Sequence, residues 1–283
     1  MSAIGLGYLR QWEGRTEQAS DIVTLAPAQA LLATLDHDPF QLNMGDILPP
    51  LFHWLYFLPI VRSSNIGTDG HPRKGGFLPP TPLPKRMFAG AKMQFEGAIT
   101  IGDSLARKST ILSVQHKMGR SGELLFVEVE HVIEGTSGRI VEVQDIVYRD
   151  ASASPNESPT ARTEPALEGA ISKTVTPDPV MLFRFSALTF NSHRIHFDRE
   201  YAASTEHYPE RVIHGPLVAV LLMDFLRRQK RGGPPTSFSF QGRQPVFVNR
   251  KLKLDYANQN GKAALRAVND RGEVGMMANA EFS

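Results

Sequence analysis

The segment His214–Gln229 constrains the fold more than any other part of the chain. Drawn as a helix, it carries apolar residues on every side: Leu217, Val218, Val220, Leu221, Leu222, Phe225 and Leu226. A surface helix has a single apolar stripe, whereas a helix that is apolar all round must be surrounded by other elements. The apolar run is too short to span a bilayer. We therefore predict a buried central helix, which the following sequence RGGPPT ends.

A series of β-rich segments follows this helix. The sequences SFSFQ, PVFVNRKLKLDYANQ, KAALRAVND and EVGMMANAEFS are separated by Asn, Gly and Asp turns, which predicts an antiparallel sheet. The first half has the same order, because the short apolar segment PPLFHWLYFLP precedes four β-rich segments between Ala91 and Asp150. Residues 87–105 and 239–257 also align without gaps around a shared Phe-x-Gly. A helix followed by a meander thus occurs twice.

This order of elements predicts an α+β double hotdog, in which two antiparallel sheets each wrap around a central helix and pack as a pseudo-dimer. We assign residues 1–150 to an N-terminal half that begins with a helical segment, and residues 170–283 to a C-terminal half. Residues 151–169 are small, polar and rich in proline, which predicts a linker. Hotdog proteins include hydratases, dehydratases, thioesterases and non-catalytic members, so the function has to be argued from the site.

The charge and the cysteine content narrow the choice of partner and compartment. With 31 Lys and Arg against 29 Asp and Glu, the formal net charge is only +2, so neither a nucleic acid nor a membrane is predicted as partner. The absence of cysteine excludes disulfides, thiolate zinc sites and a cysteine nucleophile, and it favours a reducing, cytoplasmic compartment. We expect a small-molecule ligand, no cofactor and a homodimer.

A polar stretch precedes the predicted central helix and carries a family resemblance. FNSHRIHFDREYA, followed by YPERVIHGPLVAVLL, resembles the MaoC-like (R)-specific enoyl-CoA hydratases, whose motif reads Asp-x-Asn-Pro-[Ile/Leu]-His. His196 matches the final histidine, and His214–Gly215 matches the His-Gly that opens the hotdog helix. Asn191 stands at the aspartate position and His193–Arg194 at the Asn-Pro position. In the wider family, the aspartate and the histidine together activate the water that adds across the double bond.

The resemblance extends along nearly the whole chain and points to the subgroup of mesaconyl-CoA and itaconyl-CoA hydratases. It implies a hydro-lyase that reversibly hydrates a short branched dicarboxylic enoyl-CoA to citramalyl-CoA, with the coenzyme A thioester as substrate. Three other functions stay open: a 3-hydroxyacyl-thioester dehydratase of general specificity, an acyl-CoA thioesterase and a non-catalytic acyl-binding module.

The motif residues themselves suit hydration. The reaction needs a base for water, a proton for the α-carbon and donors for the oxygen that gains enolate charge. His196 can shuttle the proton, because an ordinary histidine has a pKa of roughly 6.5. The backbone N–H of Gly215, at the start of the helix, can meet the oxyanion. Asn191 can orient water through its amide but cannot serve as a base.

The asparagine also indicates the substrate class. A free carboxylate on the acyl group would be repelled by a motif aspartate, and Arg194 could bind that carboxylate in a bidentate manner. We expect His193, His214 and Tyr201 to contact the substrate as well. Asp145, on the last strand of the first half, is the reserve candidate for the missing carboxylate.

Three further patterns in the sequence concern metal binding, coenzyme A binding and the acyl pocket. His193 and His196 form H-x-x-H, but residues i and i+3 of an extended loop point to different sides, so no metal is predicted. The basic clusters His71–Gly76 and Arg227–Arg231 could hold the phosphates of coenzyme A. Large side chains of the first half are expected to line or back the acyl pocket: Phe52, Trp54 and Tyr56.

Overall fold

Ten strands form one antiparallel sheet. The computed structural model describes residues 5–119, 122–150, 166–230, 233–259 and 261–283. The strands are β1 (Thr16–Ile22), β2 (Lys85–Gly97), β3 (Ser104–Gly119), β4 (Gly122–Glu134), β5 (Gly138–Arg149), β6 (Ile171–Val175), β7 (Ser237–Gly242), β8 (Leu252–Gln259), β9 (Lys262–Val268) and β10 (Val274–Glu281). Their order across the sheet is β1-β3-β4-β5-β2-β7-β10-β9-β8-β6.

The helices are few and mostly short. They are α1 (Leu6–Leu9), α2 (Leu25–Thr34), α3 (Pro179–Leu188), α4 (Arg199–Ser204) and α5 (Gly215–Gln229), with 3₁₀-helices at Arg10–Trp12, Pro39–Gln41, Phe52–Leu55, Ser63–Asn65 and Arg194–His196. A proline in the first turn starts α5, and two arginines in its last turn complement the helix dipole. Every residue from Leu217 to Leu226 is buried, which confirms the predicted central helix. No helix among the described residues is both long and apolar enough to cross a membrane.

The two halves meet edge to edge. Strand β2 pairs with β7 from Gly90↔Gln241 to Gln94↔Ser237, so five strands of the first half continue into five of the second. A side chain at Gly90 would place its Cβ only 2.6 Å from the carbonyl oxygen of Phe240, and a glycine permits this pairing. The architecture is the predicted double hotdog, with its two sheets joined into one. The linker predicted at residues 151–169 stays a prediction, because residues 151–165 lie outside the described part of the chain.

The first half lacks a long central helix within its described residues. The apolar segment that we expected to play this part forms only the 3₁₀-helix Phe52–Leu55. Left-handed residues stand on both sides of it, with φ of 71° at Leu51 and 55° at Phe57, and such residues interrupt a helix. Helix α5 therefore has no counterpart of similar length here. The space over β3, β4 and β5 is left for a cavity.

Candidate active site

A cavity of about 1050 Å³ lies beside the first turn of α5. Both halves of the chain line it. The residues that matter below are Trp54, His71, Arg86 and Arg107 from the first half and Asn191, His193, His196 and Gly215 from the second. The three catalytic groups proposed from the sequence, Asn191, His196 and Gly215, all line this cavity.

His196 is held in one tautomer. It ends the 3₁₀-helix Arg194–His196, and its Nδ1 lies 2.7 Å from the carbonyl oxygen of Val212, so Nδ1–H donates and Nε2 is left as an acceptor. Its ring stacks on His214 with 3.6 Å between centroids. Burial lowers the pKa of His196 to about 4. At neutral pH it is therefore an uncharged imidazole that can accept a proton.

His214 supports His196 rather than the substrate. Its Nε2 lies 2.8 Å from the hydroxyl of Ser186, its side chain is buried, and burial lowers its pKa well below the ordinary value. It is not among the described residues that line the cavity. The substrate contact expected for His214 is therefore not supported, since the ring lies behind His196.

Asn191 and His193 form one turn. The side-chain oxygen of Asn191 accepts a hydrogen bond from the backbone N–H of His193 at 3.0 Å, an Asx-type contact that shapes the loop. The ring of His193 lies 5.4 Å from that of His196 and nearly perpendicular to it. Burial and the neighbouring histidines lower the pKa of His193 to about 2. Asn191 thus organises the loop, and a role in orienting water stays a prediction.

Arg194 lies outside the cavity, contrary to expectation. Its Nε and Nη2 donate to Asp198 Oδ2 at 3.0 and 2.7 Å, and its guanidinium covers the ring of Tyr201 at 4.3 Å. Neither Arg194 nor Tyr201 is a described lining residue. An ion pair at spacing i, i+4 holds the Arg194 guanidinium against Asp198, so the structure gives no support to substrate binding by Arg194 or Tyr201, and that role stays a prediction.

Gly215 begins α5 at the cavity wall. A Cβ at this position would lie 3.6 Å from the backbone oxygen of Phe88, an ordinary contact, so the protein itself does not require glycine here. Any need for glycine must come from a ligand that approaches the backbone closely. The first N–H groups of a helix have no partner within the helix, and they suit an oxyanion.

No local sequence pattern predicts that the loop at residues 67–71 contacts residues 191–198, called the catalytic loop below. The backbone N–H of Arg194 donates to the carbonyl oxygen of Asp69 at 2.9 Å, and Ser192 Oγ donates to the carbonyl oxygen of Gly70 at 2.5 Å. This contact brings the His71 ring to 4.1 Å from the His193 ring. Residues 67–71 lie in a stretch rich in glycine and proline, which carries no periodic pattern that would indicate a partner.

Asp69 and His71 form an ion-pair geometry, with Asp69 Oδ2 3.3 Å from His71 Nδ1. Burial would raise the pKa of Asp69, but hydrogen bonds from the side chain and backbone of His71 hold it well below the usual range. Burial lowers the pKa of His71 to about 4, with Arg86 acting in the same direction and Asp69 opposing. The pair is thus a carboxylate beside a neutral imidazole at neutral pH.

One group of described residues has spacing that a metal ion would accept. Ligand atoms of Asp69, His71 and His193 lie within 4.8 Å of one another. His196, the other member of the H-x-x-H pattern, is not part of this group. The absence of a metal stays a prediction.

Asp145 does not face the cavity, whereas one of the three aromatic residues expected around the acyl pocket does. On β5, Gln144, Ile146 and Tyr148 line the cavity, so Asp145 between them faces away and cannot replace the motif carboxylate. Of the aromatic residues expected around the acyl pocket, Trp54 is a lining residue, while the side chains of Phe52 and Tyr56 are buried in the core beside it.

The two basic clusters also differ. His71, Arg73, Lys74 and Gly76 of the first cluster line the cavity. In the second cluster Arg228 pairs with Asp224 at 3.0 Å, and the described residues 227–230 do not line the cavity; Arg231 lies outside the described chain. A contact with coenzyme A phosphates stays a prediction for the first cluster only.

The chain is similar to known proteins in sequence and in fold. Residues 51–248 match the model of the family described as hydroxyacyl-thioester dehydratase type 2. The chain is 46% identical to the mesaconyl-C(4)-CoA hydratase of Chloroflexus aurantiacus over 273 residues, 96% of each chain. A MaoC-like dehydratase from Phytophthora capsici superposes with a TM-score of 0.69 at 14% identity, over 99% of both chains.

The fold comparison extends to a Mycobacterium tuberculosis protein described as a double hotdog. It has a TM-score of 0.59 and 11% identity and covers 95% of both chains. At such identities the two structures show the fold alone, and the family rests on the matches in sequence. The chain belongs to the hydroxyacyl-thioester dehydratase type 2 family of MaoC-like hotdog proteins and is a hydro-lyase of the enoyl-CoA hydratase type.

Proposed function

We propose that the protein catalyses the reversible hydration of a short, branched dicarboxylic enoyl-CoA, mesaconyl-CoA or itaconyl-CoA, to citramalyl-CoA. The observation that carries the proposal is the convergence of His196, Asn191 and Gly215 on one cavity. The identity of 46% with a mesaconyl-C(4)-CoA hydratase supports the same substrate class.

The proposed reaction uses a single water molecule. With mesaconyl-C(4)-CoA, whose double bond is conjugated with the thioester, His196 takes a proton from the water at Nε2 while the water oxygen bonds to the β-carbon and the electrons of the double bond move to the thioester oxygen. The N–H of Gly215 and the dipole of α5 stabilise that oxyanion. The imidazolium of His196 then returns the proton to the α-carbon. Both protein groups end in their starting state.

Arg86 is the proposed partner of the free carboxylate. In mesaconate bound through C4, that carboxylate is attached to the β-carbon, so its partner must lie close to the catalytic histidines. Arg86 lines the cavity, and its charge lowers the pKa of both His71 and His193. Burial raises the pKa of the Tyr148 hydroxyl, which has no hydrogen-bond partner among the described atoms, and the nearby charge of Arg86 lowers it. Among the described residues, no salt bridge joins Arg86 to a carboxylate. It can therefore offer a charge-assisted contact that Arg194 cannot.

A substrate panel tests the proposal. Mesaconyl-C(4)-CoA, crotonyl-CoA and a longer enoyl-CoA are compared by loss of the conjugated thioester absorbance. Itaconyl-CoA, whose double bond is not conjugated with the thioester, is followed by mass-spectrometric detection of citramalyl-CoA, and thiol release is followed in parallel for all four. We expect hydration that favours a dicarboxylic substrate, without thiol release. Thiol release would instead identify a thioesterase, and binding with neither signal would identify a non-catalytic module.

Two arginine variants sharpen this test. Arg86→Met removes the proposed carboxylate partner and should raise KM for the dicarboxylic substrate by about 10- to 100-fold, the usual worth of a hydrogen bond to a charged group. Crotonyl-CoA should respond by less than about 3-fold. Arg139→Met, in an exposed ion pair with Glu96, is the matched control and should change neither KM. Equal losses on both substrates would contradict the assignment.

A general 3-hydroxyacyl-thioester dehydratase is the second candidate. The cavity continues past Trp54 to Arg107 and His131 and measures about 1050 Å³, which is at the upper end for small-molecule sites. A yeast relative that is 26% identical over 83% of this chain is described as hydroxyacyl-thioester dehydratase type 2. Faster hydration of the longer enoyl-CoA than of mesaconyl-C(4)-CoA would favour this candidate.

A further inference from the structure

We infer that Asp69 and His71, on a loop of the first half, replace the carboxylate that the catalytic motif of the second half lacks. His71 accepts the second hydrogen of the attacking water, and Asp69 fixes the tautomer that lets it do so. The inference rests on the proposed hydratase function.

The need for a second acceptor follows from the chemistry of water. Water presents two hydrogens, and His196 Nε2 can hold only one of them. The motif position that would carry an aspartate holds Asn191, whose oxygen already accepts the N–H of His193. Within the described catalytic loop, Asp198 pairs with Arg194 outside the cavity. Glu206, a carboxylate that does line the cavity, lies 3.8 Å from Lys85. The carboxylate beside the cavity histidines is Asp69, which belongs to another segment.

His71 meets this need by position. Its ring lines the cavity and contacts the His193 ring at 4.1 Å. His193, which the His71 ring contacts, lies 5.4 Å from the ring of His196, and all three rings line the same cavity. His71 Nδ1 faces Asp69, so the second ring nitrogen is the one left for the cavity.

Asp69 sets the proton on His71. Asp69 Oδ2 lies 3.3 Å from His71 Nδ1, within ion-pair distance but without hydrogen-bond geometry, and the negative charge of the carboxylate favours the tautomer with the hydrogen on Nδ1 and the lone pair on Nε2. The neutral Nε2 can then accept a hydrogen of water without transferring a proton itself. His71 would be a catalytic residue because it touches the water, and Asp69 a positioning residue because it acts through His71.

The loop is built to hold this pair in place. Two hydrogen bonds join Asp69 and Gly70 to the catalytic loop, from Arg194 N and Ser192 Oγ. Gly70, with φ of 90°, approaches the carbonyl oxygen of Ser192 so closely that any Cβ would lie 1.8 Å from it. A segment docked in this way can position a side chain as accurately as the motif itself.

Asp69→Asn is the informative variant. The amide nitrogen of asparagine can donate to His71 Nδ1, which would move the ring hydrogen to Nε2 and turn the acceptor into a donor. We expect kcat for mesaconyl-C(4)-CoA to fall by about 10²-fold or more, with KM within about 3-fold. Imidazole ¹⁵N chemical shifts should show Nδ1–H in the wild type and Nε2–H in the variant, a change that a structural role would not produce.

Matched controls separate this effect from general damage. Asp270→Asn and His116→Gln change the same residue types in weak, more exposed pairs with Arg250 and Glu123, and they should keep kcat unchanged. His71→Ala should lose activity to a similar extent as Asp69→Asn.

The results of these experiments distinguish failure of the inference from failure of the proposed function. Asp69→Asn with kcat within 3-fold of the wild type, or with lost activity and an unchanged tautomer, would overturn the inference while the proposed function stands. Activity that falls on EDTA treatment and returns with a divalent metal would also overturn it, since the group would then hold an ion. A wild-type protein that hydrates none of the substrates would overturn the proposed function and this inference together.

Discussion

Gly70→Ala tests whether the first half completes the active site. The added Cβ would lie 1.8 Å from the backbone oxygen of Ser192, roughly 1.5 Å inside van der Waals contact, and a backbone atom cannot rotate away. The loop at residues 67–71 must therefore move off the catalytic loop. That movement would withdraw His71 from the cavity without a substitution at any residue of the catalytic motif.

The cost can be worked from the contacts that would be lost. The hydrogen bonds from Arg194 N to Asp69 O and from Ser192 Oγ to Gly70 O are worth about 1 kcal/mol each. Alanine at φ near 90° adds about 1–2 kcal/mol of backbone strain. Together these terms weaken docking by about 3–4 kcal/mol, a factor of about 10²–10³ in the docking equilibrium.

Gly272→Ala is the matched control. Gly272 has φ of 81°, but a Cβ there would meet nothing within 4 Å, so this variant has the strain without the collision. We expect urea unfolding to show a larger loss of stability for Gly70→Ala than for the control, and kcat for mesaconyl-C(4)-CoA to fall by at least about 10-fold only for Gly70→Ala. Equal stability and equal kcat in the two variants would refute the docked loop.

Three more outcomes are expected. The free energy of unfolding should fall by about 1.4 kcal/mol per pH unit for each buried histidine as the pH drops from 6.5 towards 4. The reason is that His196 and His193, with folded pKa values of about 4 and 2, bind protons near pH 6.5 only in the unfolded state. Urea titrations at pH 7.0 and 5.5 measure this difference, and equal unfolding free energies would contradict it. Arg194→Ala should leave KM for mesaconyl-C(4)-CoA within about 3-fold, since its guanidinium pairs with Asp198 outside the cavity; a tenfold rise would restore it as a substrate ligand. Asn191→Asp should lower kcat for the dicarboxylic substrate, because the new carboxylate repels the free carboxylate of the substrate, and it should preserve kcat for crotonyl-CoA. Steady-state assays on both substrates measure this, and equal effects on the two would argue against a carboxylate at the β-carbon.

The elements that were predicted correctly have local signals. The helix α5 follows from apolar residues on every side, and the sheet follows from alternation and turn residues, because both patterns lie within a few consecutive residues. His196 and Gly215 were found because a short motif leads directly into that helix. The Arg194–Asp198 pair was not predicted, although its spacing of four residues is a local signal for an ion pair.

The features that were missed depend on distant contacts. Ser192 meets Gly70 across more than a hundred residues, and no pattern within a glycine- and proline-rich loop announces its partner. The first-half helix is cut short by left-handed backbone at Leu51 and Phe57, two residue types that rarely adopt it. Tertiary packing decided both, and the result is a cavity that extends into the first half.

The turnover of His196→Ala tests the central claim most directly. The imidazole is held by Val212 and His214, so its removal should leave the helix and the sheet in place, as circular dichroism can verify. We expect kcat for mesaconyl-C(4)-CoA hydration to fall on the order of 10²–10⁴, the range of a general acid–base group, with KM little changed. Hydration at a near-normal rate by a folded His196→Ala protein would contradict the mechanism.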